Sequence, residues 1–121
     1  MMTLYEITPK DMERLWPVND TVKAFGLASE PLIVAMWNAT PACFVGFVPR
    51  VGEGYIWMET LPAAAEHKLA IGRHAKDLIH RALERWPRIV GHCNAPSSIR
   101  WMKSLGAKFI TDNPPGFEIL R

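Results

Sequence analysis

"HCNAPSSIRWMKSLGAKF", residues 92–109, reads as the end of a strand, a turn, a short helix and the start of another strand. Pro96 stands near the start of that helix and Gly106 at its stop, the order in which these residues bound helices. Upstream, "RIVGHC" (88–93) is a strand. Downstream, "AKFITD" and "GFEIL" are two more, joined by the turn "NPPG".

Working outward, "AEHKLAIGRHAKDLIHRALERW" (65–86) predicts a long helix ended by Pro87. Ile71, Ala75, Leu78, Ala82, Leu83 and Trp86 recur at spacings of three and four and form its buried stripe. Arg73, Asp77, His80, Arg81 and Glu84 lie largely on the opposite side. "EGYIWMET" (53–60) is a strand, so residues 53–93 make a β-α-β unit whose crossover is expected to be right-handed. "PLIVAMWN" (31–38) and "ACFVGFVPR" (42–50) are strands flanking the turn "ATP", both rich in β-branched and aromatic residues. At the start, "TLYEIT" (3–8) is a strand. In "TPKDMERLW" Thr8 is the N-cap, Pro9 the first helical residue and Asp11 the capping-box partner, with Pro17 closing the helix. "NDTVKAFG" is a second helix, capped by Asn19 or Asp20 and stopped by Gly26. The expected order is β-α-α-β-β-β-α-β-α-β-β. It describes an α/β sandwich in one domain, 1–121, with a mixed central sheet and helices on both faces.

The composition fits a soluble globular chain: 49% of residues are apolar and 21% charged. Fourteen basic residues against twelve acidic leave a net charge of +2, too balanced to imply nucleic acid or a membrane surface. Cys43 and Cys93 have neither CxxC nor metal-ligand spacing, so two reduced thiols and no metal are expected. The N-terminal sequence lacks a basic segment followed by an apolar run, and no apolar stretch nears the roughly 20 residues of a membrane helix. The expected location is the cytoplasm. Five tryptophans and six methionines serve a core, a pocket or a partner surface.

Asn94, Trp101 and Leu105-Gly106 carry a resemblance. Their spacing is similar to that of the GNAT (Gcn5-related N-acetyltransferase) superfamily, as is the element order. There an asparagine ends the fifth strand, a tyrosine follows seven residues on, and Leu-Gly precedes the next strand. Here Trp101 stands at the tyrosine position, and Ala107 replaces the usual aromatic. The supporting detail runs from about Tyr55 to Phe109. After Asn94, residues Ile99, Arg100, Trp101, Lys103, Gly106, Ala107 and Phe109 also resemble a tailed-phage family, internal virion protein A.

The resemblance implies acetyl-CoA or CoA as cofactor, bound where the fourth and fifth strands splay. The end of the fourth strand, with Thr60 and Leu61, would hold the pantetheine arm. The phosphate loop reads as Ala70-Ile71-Gly72-Arg73-His74-Ala75. Ala70 replaces its polar first residue, Arg73 stands where glycine is usual, and Gly72 is one position out of register. His67, Lys68, Arg73 and His74 are either a cationic cradle for phosphate or a solvated basic helix start. Glu59 and His92 are candidate general bases; otherwise they are a strand-end carboxylate and a structural histidine. Asn94 binds substrate or pantetheine, or caps the next helix. An indole N–H has no proton to give in acid catalysis, so Trp101 cannot replace the tyrosine and is expected to fill the cleft. Cys93 as an acyl carrier has no matched base.

The implied function is that of a phage-encoded, acetyltransferase-like protein that has lost strong catalysis. It would bind a host protein during takeover or a phage protein during head assembly, in the infected cytoplasm or the virion. The alternative is an active N-acetyltransferase acting on a host protein or a small amine.

Overall fold

The computed structural model describes residues 1–93 and 95–121; the expectations for Asn94 lie outside the described residues. In chain order the elements are β1 (Met2–Glu6), α1 (Pro9–Leu15), α2 (Asp20–Ala28), β2 (Leu32–Trp37), β3 (Thr40–Arg50) and β4 (Glu53–Thr60). A 3-10 turn (Pro62–Glu66), α3 (Lys68–Arg85), β5 (Arg88–His92), α4 (Pro96–Ser104), β6 (Lys108–Asp112) and β7 (Pro115–Leu120) follow. The order of strands and α-helices is the one expected from sequence.

The first helix forms for local reasons. Thr8 Oγ1 accepts from the Asp11 N–H, while the Asp11 carboxylate accepts from the Thr8 N–H. This reciprocal pair satisfies two otherwise orphaned donors. Asn19, not Asp20, caps α2, its side chain accepting from the Val22 N–H at 2.9 Å. Gly26 does not stop α2, which runs on to Ala28. The glycine lies inside the helix with the terminal methyl of Met12 of α1 packed on it, and a Cβ there would have to displace that methyl.

Among the described residues seven strands join one sheet in the order β1-β2-β3-β4-β5-β7-β6, and of their pairings only β4 with β5 is parallel. Strand alternation sorts the core into two layers. Ile33, Ala35, Cys43, Val45, Phe47 and Ile89 face α3 and α4, meeting Ile71, Leu78, Ile79, Ala82 and Met102. Leu32, Val34, Phe44 and Trp57 face α1 and α2, meeting Met12 and Val22. Phe44 and Phe47 are fully buried on opposite faces of β3, each contributing roughly 2–3 kcal/mol.

The long helix departs from expectation at its start. Residues 65–67 do not belong to it, for His67 has φ −130° and ψ 31°, outside the helical region. The alanines before it instead form the 3-10 turn, with Ala64 buried. Trp86 is extended and closes α3 rather than continuing it.

Candidate active site

Along its whole length, from Glu53 to Thr60, β4 pairs with β3. With β5 it pairs only at Gly54–Ile89 and Tyr55–Val90, and then the two strands part. Gly91 follows at this point, closely packed: a Cβ there would press into the Phe117 ring and stand 3.0 Å from the Ile56 carbonyl oxygen. Past Tyr55, the N–H and C=O groups of β4 that point toward β5 have no strand partner among the described residues.

This gap opens on the α3–α4 face into a cavity of about 650 Å³. Met58, Thr60 and Leu61 of the β4 end line one side, Lys68 and Ile71 of α3 another. Ser97, Ser98 and Trp101 of α4 form a third. The walls are mainly apolar, and the polar groups gather at the helix starts.

The first turn of α3 supplies free donors. Ile71 is the first residue to bond back, its N–H donating to the His67 carbonyl at 3.1 Å. His67 gives no side-chain cap, and among the described residues the N–H groups of Lys68, Leu69 and Ala70 have no partner at the positive end of the helix. The phosphate loop expected over residues 70–75 therefore lies wholly inside the helix. Arg73 is exposed on the second turn, and His74 borders a small apolar crevice with Leu4 and Ile33. Of the basic candidates, Lys68 lines the cavity, and Arg73 and His74 do not. Gly72 faces the Trp101 indole across the two helices.

On the other face of the sheet stand Tyr55, Trp57 and Glu59 of β4, with His92 of β5. Tyr55 Oη lies 3.0 Å from His92 Nδ1, a hydrogen bond that bridges the parting strands. The phenol is fixed from two further sides. It stacks on Phe25 at 5.8 Å between centroids, and the Arg50 guanidinium lies 4.4 Å over its ring. Burial raises the Tyr55 pKa and the Arg50 charge opposes that rise, so the group is a neutral phenol at physiological pH. Glu59, half-buried, lies opposite Phe44 in register, toward the open end of the gap.

No family model matches the sequence, and no curated protein matches it either. Solved structures do. A GNAT family acetyltransferase from Elizabethkingia anophelis with acetyl-CoA bound superposes with a TM-score of 0.77 at 12% identity, over 99% of this chain and 98% of that one. The ribosomal-protein-S18-alanine N-acetyltransferase from Escherichia coli gives 0.74 at 14% identity, over 99% and 94%. An aminoglycoside acetyltransferase in complex with coenzyme A gives 0.68 at 15% identity, over 100% and 95%. The chain has the GNAT fold.

Within this GNAT fold Trp101 is a wall and not a plug. It borders the cavity on one side and an apolar crevice with Met58, Met102 and Leu105 on the other. Both cysteines are free thiols. Burial pushes Cys43 up to about 11 and raises Cys93 as well, which makes neither a ready nucleophile. Among the described residues no group of three or more His, Cys, Asp or Glu could hold a metal, and no helix is long and apolar enough to cross a membrane.

Sequence reasoning missed the cavity-lining Ser97 and Ser98, although two hydroxyls in the first turn after Pro96 are a visible signal. It also passed over Tyr55 as a site residue. Its alternation with Glu59 was legible, but its bond to a residue 37 positions away was not.

Proposed function

We propose that this GNAT-fold protein binds acetyl-CoA in the gap between β4 and β5 and acetylates a primary amine that approaches from the opposite face. The observation that carries this reading is the parting of β4 from β5 after Tyr55. It gives one ligand an open strand edge and an apolar cavity within the usual size of a ligand site.

The residues fit the cofactor. Met58, Leu61 and Trp101 offer apolar surface for a pantetheine arm, and the backbone of β4 offers unpaired hydrogen-bonding groups along it. The open N–H groups of Lys68, Leu69 and Ala70, with the Lys68 ammonium, suit a phosphate. When bound, acetyl-CoA would supply an activated thioester carbonyl. The chain's part is to align it, exclude water and accept a proton from the amine. Glu59, His92 and Tyr55 stand on the face from which the amine would come. Of the neighbours named above, one is a ribosomal-protein-S18-alanine N-acetyltransferase and another an aminoglycoside acetyltransferase, which supports that acceptor class.

A second reading follows from Trp101, where no phenol can protonate the departing thiolate. On that reading the protein binds CoA without turnover and acts by binding a protein. The resemblance to internal virion protein A makes that partner a host or phage protein.

Calorimetric titration with acetyl-CoA, and with CoA as comparison, tests both readings. Saturable micromolar binding, with thiol release on adding an amine, is the expected result. Binding without thiol release from any amine would favour the second reading. No binding at millimolar ligand would overturn both as far as they involve the cofactor.

A further inference from the structure

We propose that Tyr55 and His92 form the proton-accepting pair of this site, with Tyr55 Oη as the group that touches the acceptor amine. The inference rests on the acetyltransferase reading above and deepens it. The pair occupies the apex of the gap. Tyr55 is the last residue of β4 paired to β5, and its side chain reaches forward to His92, two residues beyond its partner Val90. The hydrogen bond is thus a bar laid across the point where the strands part. Glu59 is four residues farther along β4, about 13 Å at the rise of an extended strand.

The proton route follows from the surroundings. The phenol stays protonated and is the better donor of the two, so it donates to His92 Nδ1, and Nε2 carries the ring proton. Nε2 lies over Gly116, whose missing side chain leaves space there: a Cβ would stand 3.2 Å from it. His92 is exposed, so Nε2 opens to water. As the amine is deprotonated, its N–H bond breaks and an Oη–H bond forms. The original Oη–H bond breaks in the same motion and an Nδ1–H bond forms. The imidazolium then releases its Nε2 proton to water, and solvent exchange restores the starting tautomer.

Several groups surround the imidazole. Tyr55 of β4 faces it, with Arg50 of β3 over the phenol; Gly116 of β7 lies beneath it, with Thr111 of β6 alongside. Arg88 of β5, held between Glu53 and Glu118, and Glu59 share its face of the sheet.

The test has one arm that needs no substrate. Nitrogen-15 NMR of the labelled protein reads the His92 tautomer directly. Nε2–H in the wild type, with the Nδ1 shift moving in Tyr55→Phe, is the expected result; Nδ1–H donating to the phenol overturns the route. The second arm measures thiol release from acetyl-CoA with an N-terminal alanyl peptide and an aminoglycoside as amines. Tyr55→Phe, which keeps the stacking on Phe25, should lower kcat about 100-fold and leave acetyl-CoA affinity unchanged within about twofold. His92→Gln should likewise lower kcat. Wild-type kcat in Tyr55→Phe, or its loss only in Glu59→Gln, overturns the pair. Failure of the wild type to bind acetyl-CoA would sink the broader reading and the pair's role with it, whereas acetyl-CoA binding and turnover with wild-type kcat in Tyr55→Phe would sink the pair alone.

Discussion

Gly72 of α3 faces the indole of Trp101 on α4, so that a Cβ at residue 72 would stand 3.6 Å from Trp101 Nε1. The indole N–H is directed at the neighbouring helix, while the ring borders the cavity. Trp101→Tyr would exchange this wall for a phenol that can donate a proton. We expect kcat for thiol release to rise at least severalfold, with acetyl-CoA affinity nearly unchanged. Steady-state kinetics beside calorimetry would show it. A Trp101→Tyr variant with wild-type kcat would mean that protonation of the leaving thiolate does not limit turnover.

Trp57 Nε1 donates to Ser29 Oγ at 2.6 Å, and that hydroxyl donates to the Phe25 carbonyl at 2.7 Å. Gly46 lies directly beneath, and a Cβ there would collide with both Trp57 Nε1 and Ser29 Oγ. Gly46→Ala should therefore overpack the α2 side of the core and break the bridge, at a cost of about 3 kcal/mol. Urea denaturation would measure the loss. A change under about 1 kcal/mol would show that α2 shifts freely over the sheet.

The parts legible in the sequence are those set by neighbours in the chain. Thr8, Pro9 and Asp11 specify α1 within four residues, and the alternation from Tyr55 to Glu59 assigns the faces of β4 correctly. The 3-10 turn was hidden because "PAAAE" has high intrinsic helix propensity, and the propensity of Ala63–Ala65 was overridden by packing of Ala64 against the sheet. The phosphate loop expected at residues 70–75 lies within α3, so attention fell on Arg73 and His74 in place of the N–H groups at Lys68–Ala70. The cavity itself depends on where β4 leaves β5, a register between distant segments that no local pattern encodes.

Cys43 makes stability depend on alkaline pH. Its folded pKa, about 11, lies above the ordinary 9.0 because burial disfavours the thiolate. A raised pKa means that the contribution is complete below pH 9 and is lost as pH climbs toward 11. The loss should be roughly 2–3 kcal/mol over that interval. Unfolding free energies of the wild type and Cys43→Ala, compared across it, isolate this group from the other bases that titrate there. Parallel curves would refute the assignment.

Arg88 ties the closed end of the gap. Its Nε donates to Glu118 of β7 at 2.8 Å and its Nη1 to Glu53 of β4 at 3.0 Å, so one side chain of β5 holds both neighbouring strands. The bonds are charge-assisted, but the guanidinium side chain is 36% exposed, and water screens part of their strength. Arg88→Ala should cost about 1–2 kcal/mol, partly because Glu53 and Glu118 lose the cation between them. Arg88→Lys keeps the charge without the fork that reaches two carboxylates, so it should fall between the two. Because the bridge sits beside Gly54–Ile89 and Tyr55–Val90, the parallel pairing it supports should loosen first. Hydrogen exchange at β4 and β5 would then quicken in Arg88→Ala while the β2–β3 ladder stays protected. Uniform acceleration across the sheet would instead make Arg88 a general stabiliser with no special hold on the apex of the gap.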